Sequence, residues 1–164
     1  MKDLLLLTPP FTQLNTPYPA TAYLKGFLNT KNISSYQIDL GIEVILEIFS
    51  KKGVTQIFNV KPENLSENTQ RIFALKEEYI KTIDEVIAFL QNKKPTLARQ
   101  ICSMNFLPEA SRFNQLDDME YAFGNMGLQD KAKHLATLYL EDLSDYIVEN
   151  IDENFGFSRY AERL

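Results

Sequence analysis

The chain has 164 residues, 45% of them apolar, and a formal net charge of −5. That is enough apolar material for a packed domain and excludes wholesale disorder, while the negative balance excludes non-specific DNA or RNA binding, which needs a positive field. A single cysteine, Cys102, excludes an intramolecular disulfide framework and an all-cysteine metal site, and fits a reducing cytoplasm.

Residues 3–8 form an apolar run that suits a strand buried on both faces, as in a parallel sheet. The run stops at Pro9-Pro10, too soon for a secretory signal, and no window has the length of a membrane span. Residues 9–19 carry Pro9, Pro10, Pro17 and Pro19 and read as an ordered loop, with Pro19 placed to open a helix. The helix expected over 20–31 has Ala20, Tyr23, Leu24, Phe27 and Leu28 at helical spacing, and Asn29 to Asn32 supply its stop. Residues 34–40 alternate as a second strand, ended by Gly41. Strand, helix and strand in this order make a βαβ unit with two parallel strands.

Beyond Gly41 the pattern is helical. Ile42, Ile45, Leu46 and Phe49 form one face, Gly53 breaks it, and a short helix is expected over 54–61. Asn64 and Glu67 resemble a capping box opening a long helix with Ile72, Leu75, Tyr79, Ile83, Val86 and Leu90 on its apolar face. Pro95 starts a helix running to about Ser103, residues 108–115 read as irregular, and Asp117 opens a short helix to Phe123. A second long helix covers 128–150, with a stripe of Leu128, Leu135, Ala136, Tyr139, Leu143, Tyr146 and Ile147. The lysine doublets Lys51-Lys52 and Lys93-Lys94 are expected at helix ends, where cations are favourable. The fold class is therefore α/β, strongly helix-dominated: a partial βαβ unit over 1–41 and a helical region over 42–164. Two parallel strands are not a stable sheet, so the expectation is of a piece of a longer chain.

Most catalytic chemistry lacks its residues. A C-x3-C-x2-C cluster motif built on Cys102 would need cysteine at Phe106 and Glu109, at Ala98 and Asn105, or at Pro95 and Arg99. His134 is the only histidine; helical spacing puts it on the polar side with Asp130 and Glu141 and makes Asp130 a salt-bridge partner. A metal site would want a second histidine or Glu-x-x-His, and position 131 is lysine. There is no G-x-S-x-G elbow, and Gly124 and Gly127 are the only close glycine pair, so no phosphate loop exists. Asp117-Asp118 reads as a favourable helix start. No catalytic or metal-ligating residue is assigned.

In open parallel sheets, ligands sit outside the carboxyl ends of the strands. Here those ends are Thr8, Pro9, Pro10 and Phe11, running through Asn15 to Tyr18, and Asp39 with Gly41. This loop reads either as a structural proline turn or as one wall of a cofactor or substrate crevice. Without a Gly-rich cradle a nicotinamide dinucleotide is disfavoured.

Leu4-Leu-Leu-Leu-Thr-Pro-Pro-Phe11, Asn15-Thr-Pro-Tyr-Pro-Ala20, Leu24-Lys-Gly26 and Tyr36-Gln-Ile-Asp-Leu-Gly41 together resemble the start of cobalamin-binding-type radical SAM proteins. The segment Cys102 to Gly127 and the stretch Phe155-Gly-Phe-Ser-Arg-Tyr-Ala161 are similar to a subgroup of iron–sulfur oxidoreductases. The resemblance is clearest over residues 4–41 and implies a Rossmann-like amino-terminal domain. It implies a [4Fe–4S] cluster and S-adenosylmethionine only in a downstream domain. Cobalamin is the cofactor it brings to this part, but the D-x-H-x-x-G signature is absent, since Ala132 stands two positions before His134.

Two readings follow. In the first, the chain is a non-catalytic amino-terminal portion of a radical SAM oxidoreductase, partnered by downstream domains of the same protein. In the second, it is a helical interaction or homodimerisation module with no cofactor. Both place it in the cytoplasm, without nucleic acid or membrane as partner.

Overall fold

The computed structural model describes residues 4–10, 19–62, 65–103, 105–118 and 127–156. Strand β1 (Leu4–Thr8), helix α1 (Pro19–Thr30) and strand β2 (Ser35–Asp39) form the βαβ unit. The strands pair in parallel, from Leu4 opposite Ser35 to Thr8 opposite Asp39. Helix α1 ends where Asn32 adopts φ 55°, and the Ile33 N–H folds back to the Leu28 carbonyl. Asparagine tolerates this left-handed conformation, so the asparagine-rich stop works as expected.

The packing of α1 runs against its sequence pattern. It lies over the sheet face carrying Ser35 and Gln37: Lys25 Nζ donates to the Ser35 carbonyl at 2.6 Å, and Gln37 Nε2 to Thr21 Oγ1 at 2.9 Å. The apolar stripe points to solvent, with Tyr23 79% and Phe27 58% exposed. The opposite sheet face is equally bare, with Leu5 56% and Tyr36 61% exposed. Helical spacing identifies a stripe but not what it covers.

The helical region comprises α2 (Leu40–Ile48), α3 (Lys51–Asn59), α4 (Glu67–Ala74), α5 (Lys76–Leu90), a 3-10 turn at Pro95–Leu97, α6 (Ala98–Cys102), a 3-10 stretch at Ser111–Asp118, and α7 (Leu128–Asn150). Val54, Ile72, Ile83, Val86, Ile101, Leu135 and Leu143 fill its core. Aromatic contacts knit the layers: Phe58 meets Tyr146 at 4.9 Å, Phe73 stacks on Tyr146 at 6.2 Å, and Tyr79 meets Tyr139 at 4.9 Å between centroids. Such aromatic pairs add to the burial of their area.

Several boundaries differ from the sequence reading. Gly41 does not end β2; the strand passes at Asp39 straight into α2, and Gly41 is buried in its first turn. Gly53 does not break a helix; it lies inside α3, capped by the Ser50 side chain. A Cβ at Gly53 would sit 2.2 Å from the Glu47 carbonyl oxygen, so the glycine permits the close approach of α2's last turn. Lys51-Lys52 consequently opens a helix rather than closing one, and Lys52 is held by Glu47 at 2.6 Å. The long helix after residue 67 is two helices meeting at Leu75, whose ψ of 13° interrupts the turn. Its cap is Ser66, and Asn64 lies outside the described residues. Part of the segment read as irregular, residues 108–115, is 3-10 helix from Ser111 to Asp118; the short helix expected from Asp117 to Phe123 runs on outside the described residues.

Candidate functional site at the carboxyl edge of the sheet

The parallel register sets Thr8 abreast of Asp39. Both side chains project to the same sheet face, because paired residues share a face. Thr8 is buried, and its Oγ1 has no hydrogen-bond partner among the described residues. An orphaned buried hydroxyl is uncommon and calls for a specific cause. Asp39 is half-buried and caps α2, accepting the Ile42 N–H on Oδ1 at 3.2 Å. Gly41 lies in the same first helical turn, so the chain delivers a carboxylate, a free hydroxyl and the amino end of a helix to one edge. Pro9 is exposed and Pro10 half-buried beside them. Phe11, Asn15 and Tyr18 lie outside the described residues. The edge can accept hydrogen bonds at Asp39 and donate or accept one at Thr8.

Fitting the implied cofactors gives a divided result. Cys102 is half-buried, its Sγ faces the Leu128 carbonyl at 3.6 Å, and burial pushes the thiol up. It is a lone thiol, so an iron–sulfur cluster does not fit this chain. The sole histidine of the chain, His134, lies on α7 and not on the βαβ unit, so the elements of this edge bring no histidine of their own to cobalamin. Among the described residues no group of three or more His, Cys, Asp or Glu is placed to hold a metal ion. The orphaned Thr8 hydroxyl does fit a polar group of a bound molecule entering at the edge.

A second cluster was missed by the sequence reading, which put Glu141 on the polar side of α7. Glu141 is instead 4% exposed, and Asp142 is fully buried. Arg112, from the 3-10 stretch, forks onto Asp145 at 2.9 and 2.7 Å and reaches Glu141 at 2.9 Å. Tyr79 donates to Asp142 Oδ2 at 3.1 Å. Tyr139 OH lies 3.0 Å from both the Tyr79 carbonyl and Thr82 Oγ1, and Thr82 Oγ1 lies 2.7 Å from the Glu78 carbonyl. Two hydroxyl protons thus serve three contacts. Burial pushes Asp142 from an ordinary 3.8 up to about 6, against the pull of Tyr79, Arg112 and the Ala110 N–H. Burial likewise raises the Tyr79 and Tyr139 hydroxyls beyond any physiological titration. The bidentate bond to Asp145 raises Arg112 further. One signal was legible: Leu135, Tyr139, Asp142 and Tyr146 are spaced by four, three and four, which places an acid in the core stripe.

Comparison of the chain with protein-family models, with curated proteins and with solved structures finds no match. Among the described residues no helix is long and apolar enough to cross a membrane.

Proposed function

We propose that this chain is a non-catalytic amino-terminal portion of a cobalamin-binding-type radical SAM iron–sulfur oxidoreductase, and that its sheet edge forms one wall of a cofactor or substrate crevice. The observation that carries the reading is the pairing of Thr8 with Asp39 at the carboxyl ends of two parallel strands. Open parallel sheets bind their ligands at that edge. The bare face of Leu5, Leu7 and Tyr36 and the exposed stripe of α1 support it, because parallel sheets are ordinarily covered on both faces. A bound cofactor would supply alkyl or radical chemistry; Thr8 and Asp39 would orient its polar groups, and the downstream domain would hold the cluster and S-adenosylmethionine.

Titration of the full-length protein with cobalamin and, separately, with S-adenosylmethionine tests this. Binding that weakens about tenfold in T8V and D39N, the loss of about one hydrogen bond to a charged or buried group, is the expected result. Failure of both ligands to bind would remove the reading.

The second reading, a helical interaction or dimerisation module, draws on the same exposed stripe of Tyr23, Leu24 and Phe27. It predicts a dimer by light scattering that a charged substitution on the stripe converts to monomer. A monomer at high concentration would count against it.

A further inference from the structure

Two carboxylates of α7 share the guanidinium of Arg112, and a third lies beside them. The donors of Arg112 go to Glu141 and Asp145, leaving Asp142 as the acid of the three without an ion pair among the described residues. Asp142 is also the most buried of the three, and its Oδ1 makes no hydrogen bond among the described residues. The groups facing it are few. Helix α5 contributes the Tyr79 hydroxyl, which itself feels Tyr139 and Arg71 of α4. The segment 105–118 contributes the Ala110 N–H and the charge of Arg112, and α7 contributes the like charge of Asp145.

Ionising Asp142 therefore adds a charge to an interior where acids already outnumber bases, and desolvation outweighs the attraction of Arg112 and Ala110. Relief comes from admitting water, and the elements around the carboxylate differ in how readily they give way. Helices α5 and α7 have 15 and 23 residues. The cover on the third side is a 3-10 stretch, whose hydrogen bonds are poorer than those of an α-helix. Leu107, Ala110 and Phe113 seat it, the Ser111 N–H donates to Asn68 Oδ1 at 3.3 Å, and Arg112 pins it to α7.

We propose that segment 105–118 is a latch on α7 whose closure is set by Asp142: seated while the carboxyl is neutral, loosened when it is charged. The proton leaves near pH 6, so the change falls across the physiological range. Linkage between that value and the ordinary 3.8 of an opened carboxyl makes the opening equilibrium grow about tenfold from pH 5 to pH 8.

Native-state hydrogen exchange reads this directly. The amides of residues 110–114 are followed at pH 5, 6.5 and 8, corrected for intrinsic exchange, at several low denaturant concentrations. The expected result is a local opening, weakly dependent on denaturant, with protection that falls about tenfold from pH 5 to pH 8. D142N should flatten that profile. Histidine ordinarily titrates in the same range, so the D142N comparison separates Asp142 from His134. Three results would overturn the latch: exchange of these amides only through global unfolding, wild-type protection that is flat with pH, or an unchanged slope in D142N. The first two come from the wild-type chain alone and hold whether or not the variant folds.

Discussion

Tyr79 on α5 and Asp142 on α7 meet at 3.1 Å inside the helical core, both closed off from solvent. The phenol has a second tie, since its own backbone carbonyl accepts from Tyr139 at 3.0 Å. Hydroxyl and carboxyl thus join the two long helices at their most buried point. Y79F keeps the ring and deletes the donor. It should cost about 1–3 kcal/mol, the price of a buried acceptor left unmade. The donor favours the charged carboxylate, so the loss should be greater at pH 8 than at pH 5. Urea unfolding at the two pH values measures the difference, and equal losses would show that Asp142 stays in one protonation state.

The pH profile of overall stability follows from two acids shifted in opposite directions. Asp142 is raised, so the folded chain holds its proton more tightly than the unfolded chain, and stability falls as pH rises between 3.8 and about 6. Burial pushes Glu149 upward too, but the Ser66 N–H and hydroxyl and the Thr69 hydroxyl outweigh it and hold the carboxylate below its usual range. That contribution is lost as pH falls through the depressed value. From pH 5 to pH 8 stability should drop by about 1 kcal/mol as Asp142 gives up its proton. Melting curves from pH 4 to 8 test this, and D142N should lift the alkaline side alone.

Gly53 and Gly26 make opposite predictions from the same substitution. An added Cβ at Gly53 meets the Glu47 and Ile48 carbonyl oxygens at 2.2 and 2.4 Å, and backbone atoms cannot swing aside. G53A should cost roughly 2–4 kcal/mol, more than the ~1 kcal/mol that alanine gains in helix propensity. Gly26 has nothing within 4 Å of its Cβ position, so G26A should stabilise α1 by about 0.5–1 kcal/mol. Circular dichroism melts of the two variants settle both signs.

The contrast between these glycines also shows where the sequence was legible. The two parallel strands, α1 with its asparagine stop, and α7 were readable because each carries a strong local signal of period, proline or asparagine. The reading failed where a distant contact decides. Gly53 looks like a helix breaker until the end of α2 is seen to press on it, and Glu141 looks like a solvent residue until Arg112 arrives from another element. At the sheet edge, periodicity and the proline pair pointed to Thr8 and Asp39, but their register and the orphaned hydroxyl are tertiary facts. The split at Leu75 had no sequence signal, since neither glycine nor proline marks it.

The α1 stripe gives the last prediction. Burying a leucine or phenylalanine side chain is worth about 1.5–3 kcal/mol, so a covered stripe would lose several kcal/mol on introducing charge. Leu24 and Phe27 are more than half exposed, and the core is built by other elements. The double variant L24E/F27E should therefore unfold within about 0.5 kcal/mol of wild type, as surface changes do. It should also bind less of an apolar-surface dye, because Tyr23, Leu24 and Phe27 are exposed apolar side chains of one stripe. A loss of several kcal/mol would mean that the stripe is covered in solution, by a second copy or by other strands, and its dependence on protein concentration would separate those two covers.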